Sequence, residues 1–154
     1  MALAEAGREP IRIAVADPDD IALYAAVIDP SVQVEWVLDA EPHSGPIEAM
    51  IEAFEDPLVD EETVQLAPVD VPWVNSVLFT GLEEALGPSD CLAMPSDGLW
   101  AHPLLALVRP GAVVGRLKGG DRRPLHVQFT EMEHSVLIEE PSLLRNVNTP
   151  EDLD

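Results

Sequence analysis

The chain has 154 residues, 47% of them hydrophobic, and 29 acidic side chains against 8 basic ones, a net charge of −21. That length suits one globular domain spanning residues 1–154 with a sizeable core, and a field of that sign repels nucleic acid and anionic membranes. No apolar run approaches the roughly 18 residues of a membrane span and no basic, apolar leader opens the chain, so a cytoplasmic protein with neither kind of partner is expected.

Lys118 is the only lysine, and acids are spread along the whole chain. Two readings stand: a protein adapted to concentrated salt, where screening within a few Å tolerates the excess, or an acidic protein of an ordinary cytoplasm. The single cysteine, Cys91, excludes an internal disulfide and reads as a small buried hydrophobe.

Residues 1–7 are helix formers ending at a stop glycine, barely one turn long, so this turn is expected to be frayed or to be the end of a helix that begins upstream of Met1. The β-branched run Ile11 to Ala16 predicts a strand, and Asp17-Pro18-Asp19-Asp20 opens a helix through about Ile28. Val32 to Leu38 predicts the next strand. After Asp39 and the pair Gly45-Pro46, Ile47, Met50, Ile51 and Phe54 share one face of a helix. An apolar stretch from Thr63 predicts a central buried strand stopping at Asp70 and closed by Pro72, and Trp73 to Leu86 predicts an amphipathic helix. Strands alternating with helices imply a doubly wound α/β fold with a mostly parallel sheet.

From Cys91 the pattern changes. A strand reaching Asp97-Gly98 is followed too closely by Leu104 to Val108 for a helical crossover, which predicts a reversal. Pro110 to Leu117 and Arg122 to Met132 read as helices, Ser135 to Ile138 as the last strand, and Thr149-Pro150-Glu151-Asp152 as a capped helix start.

Four predicted strands therefore end at an aspartate: Asp17, Asp39, Asp70 and Asp97. Ligands of open parallel sheets bind beyond the carboxyl ends of the strands, so these acids are candidates for a metal or polyanion site, although aspartate there is also ordinary turn chemistry. Zinc-type spacing among His43, His102, His126 and His134, a hydrolase serine motif, a P-loop and GxGxxG are all absent. Carboxylate-held metal chemistry remains.

Asp39 followed by Gly45-Pro46, Asp70-Val71-Pro72, Asp97-Gly98, His102-Pro103, Gly120-Asp121-Arg122-Arg123 and Asn146-Val-Asn148-Thr-Pro-Glu-Asp-Leu153 resemble, in order and spacing, the molybdenum cofactor guanylyltransferases. The resemblance spans Ile11 to Leu153, and the closing octapeptide is its most specific part. It implies a Rossmann-like nucleotidyltransferase fold, Mg2+ held by Asp70, and guanine nucleotide or metal positioned by Asp39 with Gly45 and Pro46 beside it. It also places Asn146 and Asn148 at the pterin or metal side. The implied reaction transfers GMP from GTP to Mo-molybdopterin, releasing pyrophosphate, with molybdoenzyme maturation proteins as further partners. Arg122 and Arg123 read either as planar phosphate clamps or as surface arginines paired with the abundant acids.

Two departures bear on this expectation. The family begins with a strand and a glycine-rich basic loop around the nucleotide phosphates, and nothing before Ile11 supplies either, so the fold is expected to lack its first strand. Glu48 and Ala49 also stand where the family more often has a small residue and glycine. The alternatives to the guanylyltransferase are a non-catalytic fragment or assembly protein of the same fold, and a related nucleotidyltransferase with another acceptor.

Overall fold

The computed structural model describes residues 2–39, 45–56 and 61–153. Strands β1 (Ile11–Val15) and β2 (Val34–Leu38) pair in parallel, with helix α2 (Asp19–Ala25) between them. A second sheet has the order β3 (Val64–Gln65), β5 (Leu107–Val108), β4 (Leu92–Ser96), β6 (His134–Ile138). β4 and β6 are parallel, whereas β5 runs against both β3 and β4. The α/β class is as expected, the sheet is mixed, and the reversal predicted after Asp97 is the β4–β5 connection, made through a 3-10 turn at Pro103–Leu105.

Helices cover both faces of the second sheet, as a doubly wound fold requires. On one side α3 (Pro46–Glu55), α5 (Pro110–Leu117) and α6 (Leu125–Thr130) bury Phe54, Val113, Leu117 and Phe129 against Leu92, Met94 and Val108. On the other, α4 (Ser76–Ala85) buries Leu78, Phe79 and Leu82 against Ala93, Leu105 and Leu107. Alternate side chains of β4 thus enter opposite cores, and all five of its residues are buried. Pro95 is tolerated there because β5 pairs only with Leu92 and Ala93; past that point the Pro95 carbonyl accepts the His102 N–H at 2.9 Å, and no donor is required of proline. Gly81 lets α4 approach β6, since a Cβ there would meet Leu137 Cδ2 at 3.0 Å.

The sequence placed a central strand ending at Asp70. The structure instead has a two-residue strand, Val64–Gln65, joined among the described residues to β5 alone. Leu66 still donates to the Ala106 carbonyl at 2.9 Å, but Pro68 has no N–H for the ladder and Val69 is 94% exposed, so the chain leaves the sheet and Asp70 falls in a turn. Helix starts shift for similar local reasons. α4 begins at Ser76 because the Asn75 side chain accepts the Leu78 N–H at 3.1 Å, a cap that contributes about 1 kcal/mol. α6 begins at Leu125, after the extended Pro124 and a turn in which Asp121 accepts the Arg123 N–H at 2.9 Å.

Helix α1 (Ala2–Glu5) stops as Gly7 suggested: Gly7 has φ +73°, its N–H donates to Ala4, and Arg8 N–H donates to Leu3. The turn is not frayed, however. Ala2, Leu3 and Ala6 pack against the α4 side of the core, and Arg8 reaches Glu83 of α4 at 2.8 Å, so tertiary contacts supply what one helical turn lacks.

The β1–α2–β2 unit contributes to neither core cluster. An ion pair between Arg12 and Asp56 ties β1 to the end of α3. Among the described residues β1 pairs only with β2, and β3 only with β5, so each keeps one open edge. A two-stranded sheet on its own is marginal in water.

Candidate functional site

Because β3 and β4 both run against β5, and β6 runs with β4, the loops leaving β3, β4 and β6 emerge at one end of the sheet. The structure joins two of the sequence candidates there. Asn146 Nδ2 donates to Asp70 Oδ2 at 3.2 Å, and the Val147 N–H donates to the Asp70 carbonyl at 2.7 Å. Val71, 4% exposed, anchors the turn in the core. Among the described residues Asp70 Oδ1 accepts no hydrogen bond.

The closing segment is folded on itself. Asp152 Oδ2 accepts the backbone N–H groups of Asn148 and Thr149, both at 2.9 Å, which hold its carboxyl below the usual range. The predicted cap at Thr149 therefore exists, at the head of a 3-10 turn, Pro150–Leu153. Asn148 enters this arrangement through its backbone.

Beside Asn146 lies a cleft of about 500 Å³ lined by Asp97, Trp100, His102, Leu144, Arg145 and Asn146 among others. Asp97 Oδ1 accepts the N–H groups of Trp100 (2.7 Å) and Leu99 (2.9 Å), and these bonds, Trp100 first, lower its pKa. Gly98 makes this turn possible with φ +93°. His102 Nε2 lies 3.7 Å from Asp97 Oδ2, beyond hydrogen-bond range, and is buried without a hydrogen-bond partner among the described residues. Arg145 rests over the Trp73 ring, 4.1 Å from its centroid, and donates to the Asp152 carbonyl at 2.8 Å.

A second group of candidates gathers elsewhere. Gly45 caps α3 with φ +102° and Pro46 takes its first position; a Cβ at Gly45 would have room, so the positive φ is what calls for glycine. Arg122 pairs with Glu48 in the first turn of α3. Arg123 is held between Asp121 (2.7 Å) and Glu131 (2.7 Å), and the bonds to Glu131, then Asp121, raise its pKa. Asp39 continues the β1–β2 ladder, its N–H donating to Val15 at 3.0 Å; residues 40–44, with His43, lie outside the described residues. Among the described residues, bonds link Asp70 to Asn146 and Arg122 to the start of α3, and none links the two groups.

Sequence reasoning assigned no role to Trp73, Trp100 or Arg145. One signal was available: Arg145 is the only arginine or lysine after Arg123, directly before Asn146.

Among the described residues no three His, Cys, Asp or Glu side chains form a ready-made metal cage. Mg2+ does not require one. It keeps several waters and is held by one or two carboxylates plus substrate phosphates, and a carboxylate with one oxygen uncommitted beside a side-chain amide suits that mode. No helix among the described residues is long and apolar enough to cross a membrane.

The chain is similar to known proteins in three comparisons. The family described as "MobA-like NTP transferase domain" matches residues 1–132. A molybdenum cofactor guanylyltransferase of Shewanella frigidimarina (strain NCIMB 400) is 30% identical over 115 residues, 70% of this chain and 56% of that protein. The chain thus spans about half the length of the curated relative it matches. Two solved structures share the fold: a 4-diphosphocytidyl-2C-methyl-D-erythritol synthase of Anaerococcus prevotii DSM 20548 (TM-score 0.74, 10% identity, 99% of this chain and 79% of that one) and a protein of Aquifex aeolicus VF5 (TM-score 0.67, 18% identity, 90% and 70%). The chain belongs to the MobA-like NTP transferase family.

Proposed function

We propose that residues 1–154 form one domain supplying the metal and acceptor side of a nucleotidyl-transfer site, the reaction being transfer of GMP from GTP to Mo-molybdopterin. The observation that carries this reading is the Asp70–Asn146 bond at the end of the sheet where β3, β4 and β6 open. Asp70 Oδ1 and Asn146 would hold Mg2+, which when bound neutralises phosphate charge and aligns the α-phosphate for in-line attack. An oxygen of the acceptor's phosphate forms the new bond to the α-phosphorus while the bond to the bridging oxygen breaks, and pyrophosphate leaves with that electron pair. Asn146 orients the Asp70 carboxylate, and the Val147–Asp70 backbone bond fixes the turn beneath it. Asp39, Gly45 and Pro46 line the guanine side, where the exposed Arg122 exchanges Glu48 for phosphate. Arg123, already bound to two carboxylates, braces the loop that carries Arg122. Asn148 holds the pterin side through the Asp152 turn.

Triphosphate binding needs convergent backbone donors and a cation near the leaving pyrophosphate. Residues 1–154 by themselves are therefore expected to bind GTP·Mg2+ with a Kd above about 1 mM, by calorimetry. A protein in which a strand and a glycine-rich loop precede residues 1–154 is expected to form the guanine dinucleotide and pyrophosphate from GTP and molybdopterin, and to use ATP or CTP poorly. Micromolar GTP binding by residues 1–154, or no dinucleotide from the extended protein, contradicts this reading.

A further inference from the structure

We propose that Arg145 binds the phosphate group of the acceptor substrate. The assignment rests on the transfer reading above and adds to it the residue that recognises the attacking group. Its basis is the way this chain uses its few cations. Among the described residues Arg8, Arg12, Arg116, Lys118, Arg122 and Arg123 each form an ion pair with a carboxylate. Arg109 is spent on the backbone carbonyls of Gly87 and Asp90. Arg145 likewise has no carboxylate in ion-pair range among the described residues, but unlike the half-buried Arg109 it is exposed, in a chain with 29 acids.

Arg145 is also positioned for a ligand. It is exposed and, among the described residues, is the only arginine or lysine lining the cleft. The Trp73 ring beneath it and the Asp152 carbonyl at one Nη fix the guanidinium plane, and among the described residues its remaining N–H groups are uncommitted. A planar fork with free donors matches a phosphate monoester in bidentate geometry, and an anion approaching a surface of net charge −21 needs such a cation. Its neighbour Asn146 lines the same cleft and bonds Asp70, so the segment that carries Arg145 also holds the proposed metal carboxylate.

The test uses phenyl phosphate and inorganic phosphate at constant ionic strength, followed by NMR at the Arg145 Nε–H and Trp73 indole N–H. Saturable shifts are expected in the parent protein, with affinity at least about tenfold lower in Arg145→Gln and partly restored in Arg145→Lys, which keeps the charge but loses the fork. Trp73→Leu, which leaves the charge and removes the ring, is expected to weaken binding a few-fold. In the transfer assay Arg145→Gln is expected to raise KM for the acceptor about tenfold and leave KM for GTP unchanged. A purely structural Arg145 would lower the melting temperature and move neither quantity. Equal phosphate affinity in parent and Arg145→Gln proteins, or no saturable shift in the parent, overturns the assignment. Failure of Mn2+ to broaden signals around Asp70 counts instead against the transfer reading, so the two failures are distinguishable.

Discussion

Replacing Asp70 by asparagine is expected to lower nucleotidyl transfer by at least about a hundredfold in any form of the protein that shows transfer, because the substitution removes the negative charge proposed to hold the metal. Folding should survive. Asp70 sits in a turn whose anchors are the Val147 backbone bond and buried Val71, and asparagine keeps both the shape and an acceptor for Asn146. The expected melting temperature is therefore within a few degrees of the parent. Asn146→Ala, which frees the carboxylate without discharging it, should cost less. Unchanged transfer by the folded Asp70→Asn protein would remove Asp70 from the site.

The second large effect is on stability. With 29 acidic and 8 basic side chains, repulsion outweighs attraction at low ionic strength, and the ion pairs among the described residues are mostly at least part-exposed, where solvent screens them and each contributes little. Raising salt from 0.1 to 1 M shortens the screening length from about 10 to 3 Å, which weakens those few pairs but suppresses many more repulsions. The melting temperature is expected to rise by on the order of 10 °C between 0.1 and 2 M KCl. NaCl should act alike, whereas sulfate stabilises by exclusion as well and serves as the contrast. A flat or falling melting temperature in KCl rejects adaptation to high salt.

What the sequence disclosed follows the range of each interaction. The α3 face of Ile47, Met50, Ile51 and Phe54 was legible because a 3.6-residue period is local, and all four side chains join one core cluster. The stop at Gly7 and the cap at Thr149 were legible for the same reason. The strand before Asp70 was misjudged because apolar composition says nothing of pairing: β5 is two residues long, and Pro68 ends what it could have continued. Glu48 and Arg122 drew attention separately, one as a departure from the family pattern and one as a phosphate clamp, and folding makes them partners. Trp73 and Arg145 are far apart in the chain, so no spacing rule joins them; the Asp70–Asn146 and Asp70–Val147 bonds, with Val71 and Leu144 packed in one core cluster, bring the two segments together.

The most direct test of the metal assignment needs no turnover. Mn2+, which shares the oxygen-ligand octahedral preference of Mg2+, is titrated into 15N-labelled residues 1–154, and paramagnetic broadening is mapped onto the chain. The account predicts that the amide signals of Asp70, Val71 and Val147 and the Asn146 side-chain amide broaden first, that excess Mg2+ reverses this, and that Asp70→Asn abolishes it. Broadening spread evenly over the acidic surface, or unchanged at these signals in Asp70→Asn, would contradict it.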